Sequence, residues 1–195
     1  EIFADCDSIV LEIDLDKEII KSVFKYAEKY HKRVYAVVAN MSIASQRRDF
    51  LQSIDCFVCN AEEADILFVS DMQELEPEEL CEELSKRVVS ARIPAMVVTL
   101  GSRGAVYADM HGDKGVYPAR RVKVRDTTGA GDIFGGSAMS QLLKTGKHPG
   151  ELIAEELKDI VRFACCAASL STQKQGGISS VPEEAEVRAL VNTMA

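Results

Sequence analysis

The run Asp126-Thr127-Thr128-Gly129-Ala130-Gly131-Asp132 sets two glycines, an alanine and two threonines between two carboxylates, and an amphipathic stretch from Ile133 to Leu143 follows at once. A loop of small residues feeding a helix N-terminus leaves backbone N–H groups without intrahelical partners. Together with the positive end of the helix dipole, those groups suit an anion such as phosphate. Asp132 is then the odd member, because a carboxylate would compete with a phosphate for the same positive end. Accepting a proton from an attacking hydroxyl during phosphoryl transfer is a task that accounts for it. The plainer reading is a well-capped helix start. Against it, Gly129 and Gly131 cost stability at a helix entrance, and Asp132 adds nothing that a plain cap lacks.

Other candidates gather by topology. In an open parallel sheet, ligands bind beyond the carboxyl ends of the strands. Glu12, Asp14, Asn40, Asn60, Glu63, the stretch 99–104 and the run 126–132 all follow apolar segments, so they should share one sheet edge. Asn60 and Glu63 have the spacing of an N-cap with its capping-box partner. The alternative is that Glu63 holds a hydrated Mg²⁺, which takes one or two carboxylates plus phosphate and water oxygens. Thr99-Leu100-Gly101-Ser102-Arg103-Gly104 reads either as a hairpin turn or as a nucleotide-lining loop with Arg103 near phosphates. It is neither a Walker A loop nor GxGxxG, and no glycine fingerprint follows Leu11 or Ala39, which leaves P-loop NTPases and dinucleotide oxidoreductases unsupported.

The elements that must position these groups are legible as periodic runs. Apolar segments at 8–11, 34–39, 56–59 and 95–100 read as buried strands. Segments 105–108, 116–118 and 122–124 read as antiparallel additions after the turns at 101–104 and 111–115. Asp16 caps a helix bearing Ile19, Ile20, Val23, Phe24 and Ala27 on one face. Further helices are expected from Asn60 to Val69, from Pro77 with Leu80, Leu84 and Val88, over about 133–144 and 151–170, and from about Pro182. Strand–helix alternation up to Leu100 implies a mostly parallel sheet with helices on both faces. No linker divides the chain, so residues 1–195 are expected to form one α/β domain.

A chain of 195 residues is long enough for a sizeable core. Its net charge of −8 argues against nucleic acid and against an anionic membrane as partners. No apolar run has membrane-spanning length, and no secretory signal pattern is present. Cys56-Phe57-Val58-Cys59 has CxxC spacing, but no second pair or neighbouring His supports a metal site, and buried core is the favoured reading. The cysteines fit a reducing cytosol, hence a cytoplasmic location.

The motifs taken together resemble the ribokinase-like (PfkB) carbohydrate kinase family. The run 126–132 with Ile133-Phe134-Gly135-Gly136 is similar to its C-terminal signature, Asn60-Ala61-Glu62-Glu63 to its NxxE motif, and 99–104 to its TxGxxG nucleotide loop. Phe163 to Ser171, Gly176-Gly177 and Ser180-Val181-Pro182 resemble the segment closing the adenine pocket. The resemblance implies a three-layer sandwich and ATP-dependent phosphorylation of a hydroxymethyl group on a sugar or nucleoside. Asp132 would be the base, with Gly129, Ala130 and Gly131 as the anion hole. Glu63 would organise Mg²⁺ with Asn60, while Thr99, Gly101, Ser102, Arg103, Gly104 and Cys165 would contact the nucleotide. Some members use K⁺, which would fall at Asp126, Thr128, Ser171, Lys174, Gly176 and Ser180. Glu12, with Asp14 and Asn40, is nominated for the acceptor. The family's N-terminal portion, with its glycine-pair substrate motif and β-sheet lid, has no counterpart in the sequence. A fragment or one piece of a divided protein is therefore expected, and full-length members can pair as homodimers through their lids. The 31–59 region has a pseudouridine-kinase-like character. The competing class is a non-catalytic nucleotide-binding or regulatory module on the same fold.

Overall fold

The computed structural model describes residues 2–13, 15–37 and 48–193, without the side chains of residues 48 and 49. One sheet of six strands organises them, in the order β1 (Ser8–Glu12), β2 (Arg33–Val37), β3 (Cys56–Asn60), β4 (Ala95–Thr99), β5 (Ala105–Asp109) and β6 (Lys114–Tyr117). The first four strands pair in parallel, and β5 and β6 add antiparallel. A short helix α1 (Ile2–Asp5) precedes β1, α2 (Lys17–Lys29) joins β1 to β2, and α3 (Ala61–Phe68) and α4 (Pro77–Ala91) lie between β3 and β4. The chain ends with α5 (Ala130–Thr145), α6 (Ala154–Ser171) and α7 (Glu184–Asn192).

The sequence sets these elements by ordinary means. The Asp16 carboxylate accepts the Glu18 N–H at 2.8 Å and opens α2. Pro77 supplies the fixed φ of the first turn of α4. Residues 56–59 are buried throughout, as expected for a strand covered on both faces. Their spacing also answers the CxxC question. Cys56 joins the core under α5 and α6, while Cys59 joins the opposite core under α2, α3 and α4. Side chains three apart on a strand point to opposite faces, so the pair cannot chelate one metal. Burial pushes the Cys56 thiol up to about 12 and Cys59 well above its ordinary range.

The architecture is therefore helix, sheet, helix. One core joins Leu11, Phe57 and Met96 to Ile20, Leu67, Leu80 and Leu84. The other joins Tyr35, Val58 and Val97 to Phe134, Leu142, Val161 and Ala164. The helix α7 docks on the outside through Val187 against Ile133 and Phe163.

Three expectations are corrected. Residues 122–124 form no strand. Their valines alternate with Arg121, Lys123 and Arg125 but meet no partner strand; Val124 is 56% exposed, and the chain leaves the sheet to bond the Thr172 carbonyl through the N–H groups of Arg125 and Asp126. The helix after the glycine loop begins at Ala130 rather than 133, because Gly129 takes the left-handed N-cap (φ 74°) and turns the chain earlier. The helix expected from 151 begins at Ala154, since Pro149–Glu151 forms a 3₁₀ turn closed by His148 and Glu151.

Candidate functional site

The parallel strands present their carboxyl ends to one edge, as expected. Asn60 and Thr99 are register partners there, at the ends of β3 and β4. Glu12 ends β1 and is exposed. Asp14 and Asn40, the other acceptor candidates, lie outside the described residues.

Asn60 and Glu63 do form a capping box: Asn60 Oδ1 accepts the Glu63 N–H at 2.8 Å and Glu63 Oε2 accepts the Asn60 N–H at 2.7 Å. The structural role of the pair is thus real. Glu63 is half-buried, and desolvation raises its pKa, with the Asn60 N–H offsetting part of the effect. A divalent cation at the same carboxylate would offset the rest. A single carboxylate held by a backbone bond fits the sparse, water-rich ligation of Mg²⁺. Among the described residues no group of three or more His, Cys, Asp or Glu could hold a metal alone. Any Mg²⁺ here therefore depends on phosphate oxygens for its other ligands.

The loop at 99–104 folds as a tight 3₁₀ turn, Gly101–Arg103, between β4 and β5. Gly104 has φ +104°, and a Cβ on it would sit 2.0 Å from the Tyr117 carbonyl oxygen. Only glycine allows this approach. Thr99, Gly101, Ser102 and Gly104 line a cavity of about 550 Å³ together with Ala130, Gly131 and Cys165. Burial raises the Cys165 thiol to about 12, so it serves as apolar wall. Arg103 has a different occupation. Its guanidinium donates to the carbonyls of Leu75 (2.8 Å) and Gln73 (3.0 Å), fastening the turn to the segment before α4.

The loop between Thr127 and Asp132 divides that cavity from a second one of about 540 Å³. Thr127, Ala130 and Gly131 face the first; Thr128, Gly129 and Asp132 face the second. The Ala130 N–H bonds the Thr127 carbonyl, whereas the N–H groups of Gly131 and Asp132 meet no carbonyl acceptor among the described residues. Gly131, with its free amide, and Asp132 thus line different cavities, so an anion in the first cavity would not meet the Asp132 side of the loop.

Asp132 stands at the third helical position, where four other carboxylates are spent on capping boxes. Glu63, Glu151, Glu156 and Glu186 each accept the N–H of the residue three before it. Asp132 makes no hydrogen bond or ion pair among the described residues and remains exposed. Nothing structural uses it.

The proposed monovalent-ion residues cluster in part. Asp126 Oδ1 accepts the Thr128 N–H and hydroxyl at 2.9 and 2.7 Å, and Oδ2 accepts the Gly176 N–H at 2.8 Å. These bonds, the Gly176 N–H foremost, hold the Asp126 carboxyl down at about 2. The Ser171 and Ser180 hydroxyls donate to the carbonyls of Ala168 and Gly177. The Lys174 ammonium pairs with Glu186 at 3.5 Å, leaving only its backbone for the loop. Gly129 and Gly177 pack closely; a Cβ on Gly129 would lie 3.2 Å from the Gly177 Cα.

Arg120 and Arg121 also line the first cavity and were not nominated from the sequence. The available signal was the run Arg120, Arg121, Lys123, Arg125 directly before Asp126, which a strand reading of 122–124 absorbed.

The model of the pfkB family carbohydrate kinases matches residues 6–184. A guanosine-inosine kinase from Exiguobacterium acetylicum is 31% identical over 140 residues, 70% of this chain and 44% of the relative. A ribokinase from Schizosaccharomyces pombe is 29% identical over 188 residues, 96% of this chain and 55% of the relative. The chain thus spans about half the length of these relatives. Among solved structures, Arabidopsis thaliana ribokinase complexed with ribose and ATP superposes with a TM-score of 0.80 at 24% identity, covering 97% of this chain and 57% of the other. A fructokinase with bound ATP from Xylella fastidiosa gives 0.78 at 20% identity, covering 98% and 63%. The fold is ribokinase-like, and the chain belongs to the pfkB family of carbohydrate kinases.

Proposed function

We propose that this chain carries the nucleotide-binding and transfer machinery of an ATP-dependent kinase acting on a hydroxymethyl group of a sugar or nucleoside. The observation that carries the reading is the two-sided loop. The unspent amide of Gly131 marks the donor side, and the unspent carboxylate of Asp132 marks the acceptor side.

ATP would occupy the first cavity, with Thr99, Gly101, Ser102 and Gly104 along the phosphates and ribose and Cys165 against the base. The acceptor hydroxyl would approach Asp132 from the opposite side of the loop. As its oxygen attacks the γ-phosphorus, the new P–O bond forms, the β,γ-bridging P–O bond breaks to release ADP, and the hydroxyl proton passes to the Asp132 carboxylate. The amides at the start of α5 would hold the charge developing on the equatorial phosphoryl oxygens. Glu63, oriented by Asn60, would hold Mg²⁺, which when bound neutralises charge between the β- and γ-phosphates. A potassium ion on the carbonyls of Ser171, Gly176 and Ser180 would reinforce the junction that Asp126 already fastens. Glu12, exposed at the end of β1, would contact the sugar or nucleoside acceptor.

The test is Asp132→Asn in the full-length protein, assayed against ribose, fructose phosphates, adenosine and pseudouridine. Turnover should fall by roughly 10²- to 10⁴-fold, the range for loss of a general base, while calorimetry shows MgATP affinity nearly unchanged. Wild-type turnover by the variant would remove Asp132 from the mechanism.

A further inference from the structure

We propose that Arg120 and Arg121 form a phosphate-recognising wall of the first cavity, so that the site discriminates nucleotides by the length of their phosphate chain. This rests on the nucleotide reading of that cavity and assigns it two residues to which no role has been given.

The argument begins with charge. The chain carries 31 acidic residues against 23 Lys and Arg, so its cations have carboxylates to spare. Several elsewhere use them, as Lys21 does with Glu18, Arg87 with Glu83, Lys114 with Glu82, Lys144 with Glu184 and Lys147 with Glu156, and others such as Lys32, Arg33 and Arg103 bond backbone carbonyls. Arg120, Arg121, Lys123 and Arg125 make no ion pair among the described residues, although they fall within six consecutive positions. Such crowding of like charge is unfavourable unless an anion relieves it.

The cavity supplies the second part. No Asp or Glu lines it, whereas Asp132 and Glu184 line its neighbour, and no Lys or Arg does. Its volume of about 550 Å³ suits a nucleotide-sized ligand. The strap is two-natured. Val122 and Val124 give the cavity apolar surface, and Arg120 and Arg121 give it positive charge in a lining that also includes Gly131. Guanidinium forks match phosphate oxygens in bidentate geometry, each such bond being roughly twice as strong as a neutral one. A nucleic-acid backbone is disfavoured as the anion by the net charge of −8 on the rest of the chain.

The experiment is calorimetric titration of the full-length protein with MgATP, MgADP, AMP, adenosine and inorganic pyrophosphate. Wild type is compared with Arg120→Gln/Arg121→Gln and with Lys123→Gln, whose side chain does not line the cavity. Circular dichroism and melting temperature verify the fold of each variant. The double variant should bind MgATP and MgADP roughly 10- to 100-fold more weakly, as loss of charge-assisted bonds predicts. AMP should weaken less, and adenosine not at all. Lys123→Gln should stay near wild type, and wild-type affinity for MgATP should fall more steeply with salt than that of the double variant. Equal weakening of adenosine and ATP would overturn the proposal in favour of base stacking, and an unchanged double variant would overturn it outright. Arginine-dependent binding of pyrophosphate without any nucleotide binding would sustain the phosphate wall and sink the nucleotide reading. Binding of none of the five probes by wild type would sink both.

Discussion

The two cavities beside the loop at 127–132 are nearly equal in volume and opposite in character. One is walled by Arg120, Arg121, the glycines of the 101–104 turn and an amide from the start of α5. The other holds Asp132 and Glu184 among Phe163, Val181 and Ile178, the last of them 94% exposed. On the proposed reading, a phosphate chain would be stabilised in the first and repelled in the second. On the same reading, the difference would let a carboxylate sit at the positive end of a helix beside an anion site without spoiling it. The helix start is shared, and the loop gives its amide to one side and its acid to the other.

The strongest way to break this comparison is the Asp132→Asn variant, which should remove turnover while leaving the cationic cavity's affinity intact. Next is the glycine pair Gly104 and Gly136, one on each side. Alanine at Gly104 would place a Cβ 2.0 Å from the Tyr117 carbonyl oxygen at φ +104°. Backbone strain and overpacking together should cost about 3 kcal/mol or more in denaturant unfolding. Alanine at Gly136 meets nothing within 4 Å and lies inside α5. There the change should stabilise the 195-residue chain by about 0.5–1 kcal/mol. A loss at Gly136 in the full-length protein would mean that the acidic cavity is filled there. Between the two in size stands Asn60→Ala, which removes a capping box and should cost about 1 kcal/mol while weakening Mg²⁺-dependent nucleotide binding through misorientation of Glu63. An effect on stability alone would leave Asn60 as a cap.

Much of this was legible because local patterns and tertiary structure agree. The parallel strands read as apolar runs, the helices as capped amphipathic stretches, and the loop at 126–132 as a site. What was not legible depended on distant neighbours. Val10 reads as core from its strand, yet it is 59% exposed while its register partner Tyr35 is 0% exposed beneath α5 and α6. That difference is set by where the helices lie. Arg103 belongs to a nucleotide-loop motif, but its guanidinium is held by carbonyls of residues 73 and 75, which no spacing rule connects to it. The valine alternation at 122–124 has the period of a strand and no strand beside it, and this hid the arginines before it. The sidedness of the 127–132 loop is likewise invisible in sequence, since it requires knowing that the helix starts at Ala130.

The smallest effect concerns the junction that keeps the loop in place. Asp126 bonds Thr128 within its own loop and Gly176 across to the next. These bonds favour the ionised carboxylate and hold its pKa at about 2, below the ordinary value of 3.8. A folded-state pKa lower than the unfolded one contributes stability that is fully present above the ordinary value and is lost as pH falls through about 2. Acid unfolding of Asp126→Asn, followed by circular dichroism, should therefore be less steep than wild type between about pH 4 and 2. At neutral pH the variant should be modestly less stable, because an amide accepts the Gly176 N–H less strongly than a carboxylate. If the loop's two-sidedness depends on this junction, the same variant should weaken MgATP binding at pH 7 more than it lowers the melting temperature would suggest. If affinity and stability fall in proportion, Asp126 only fastens the chain, and the division between the cavities is set by Gly129 and the start of α5 alone.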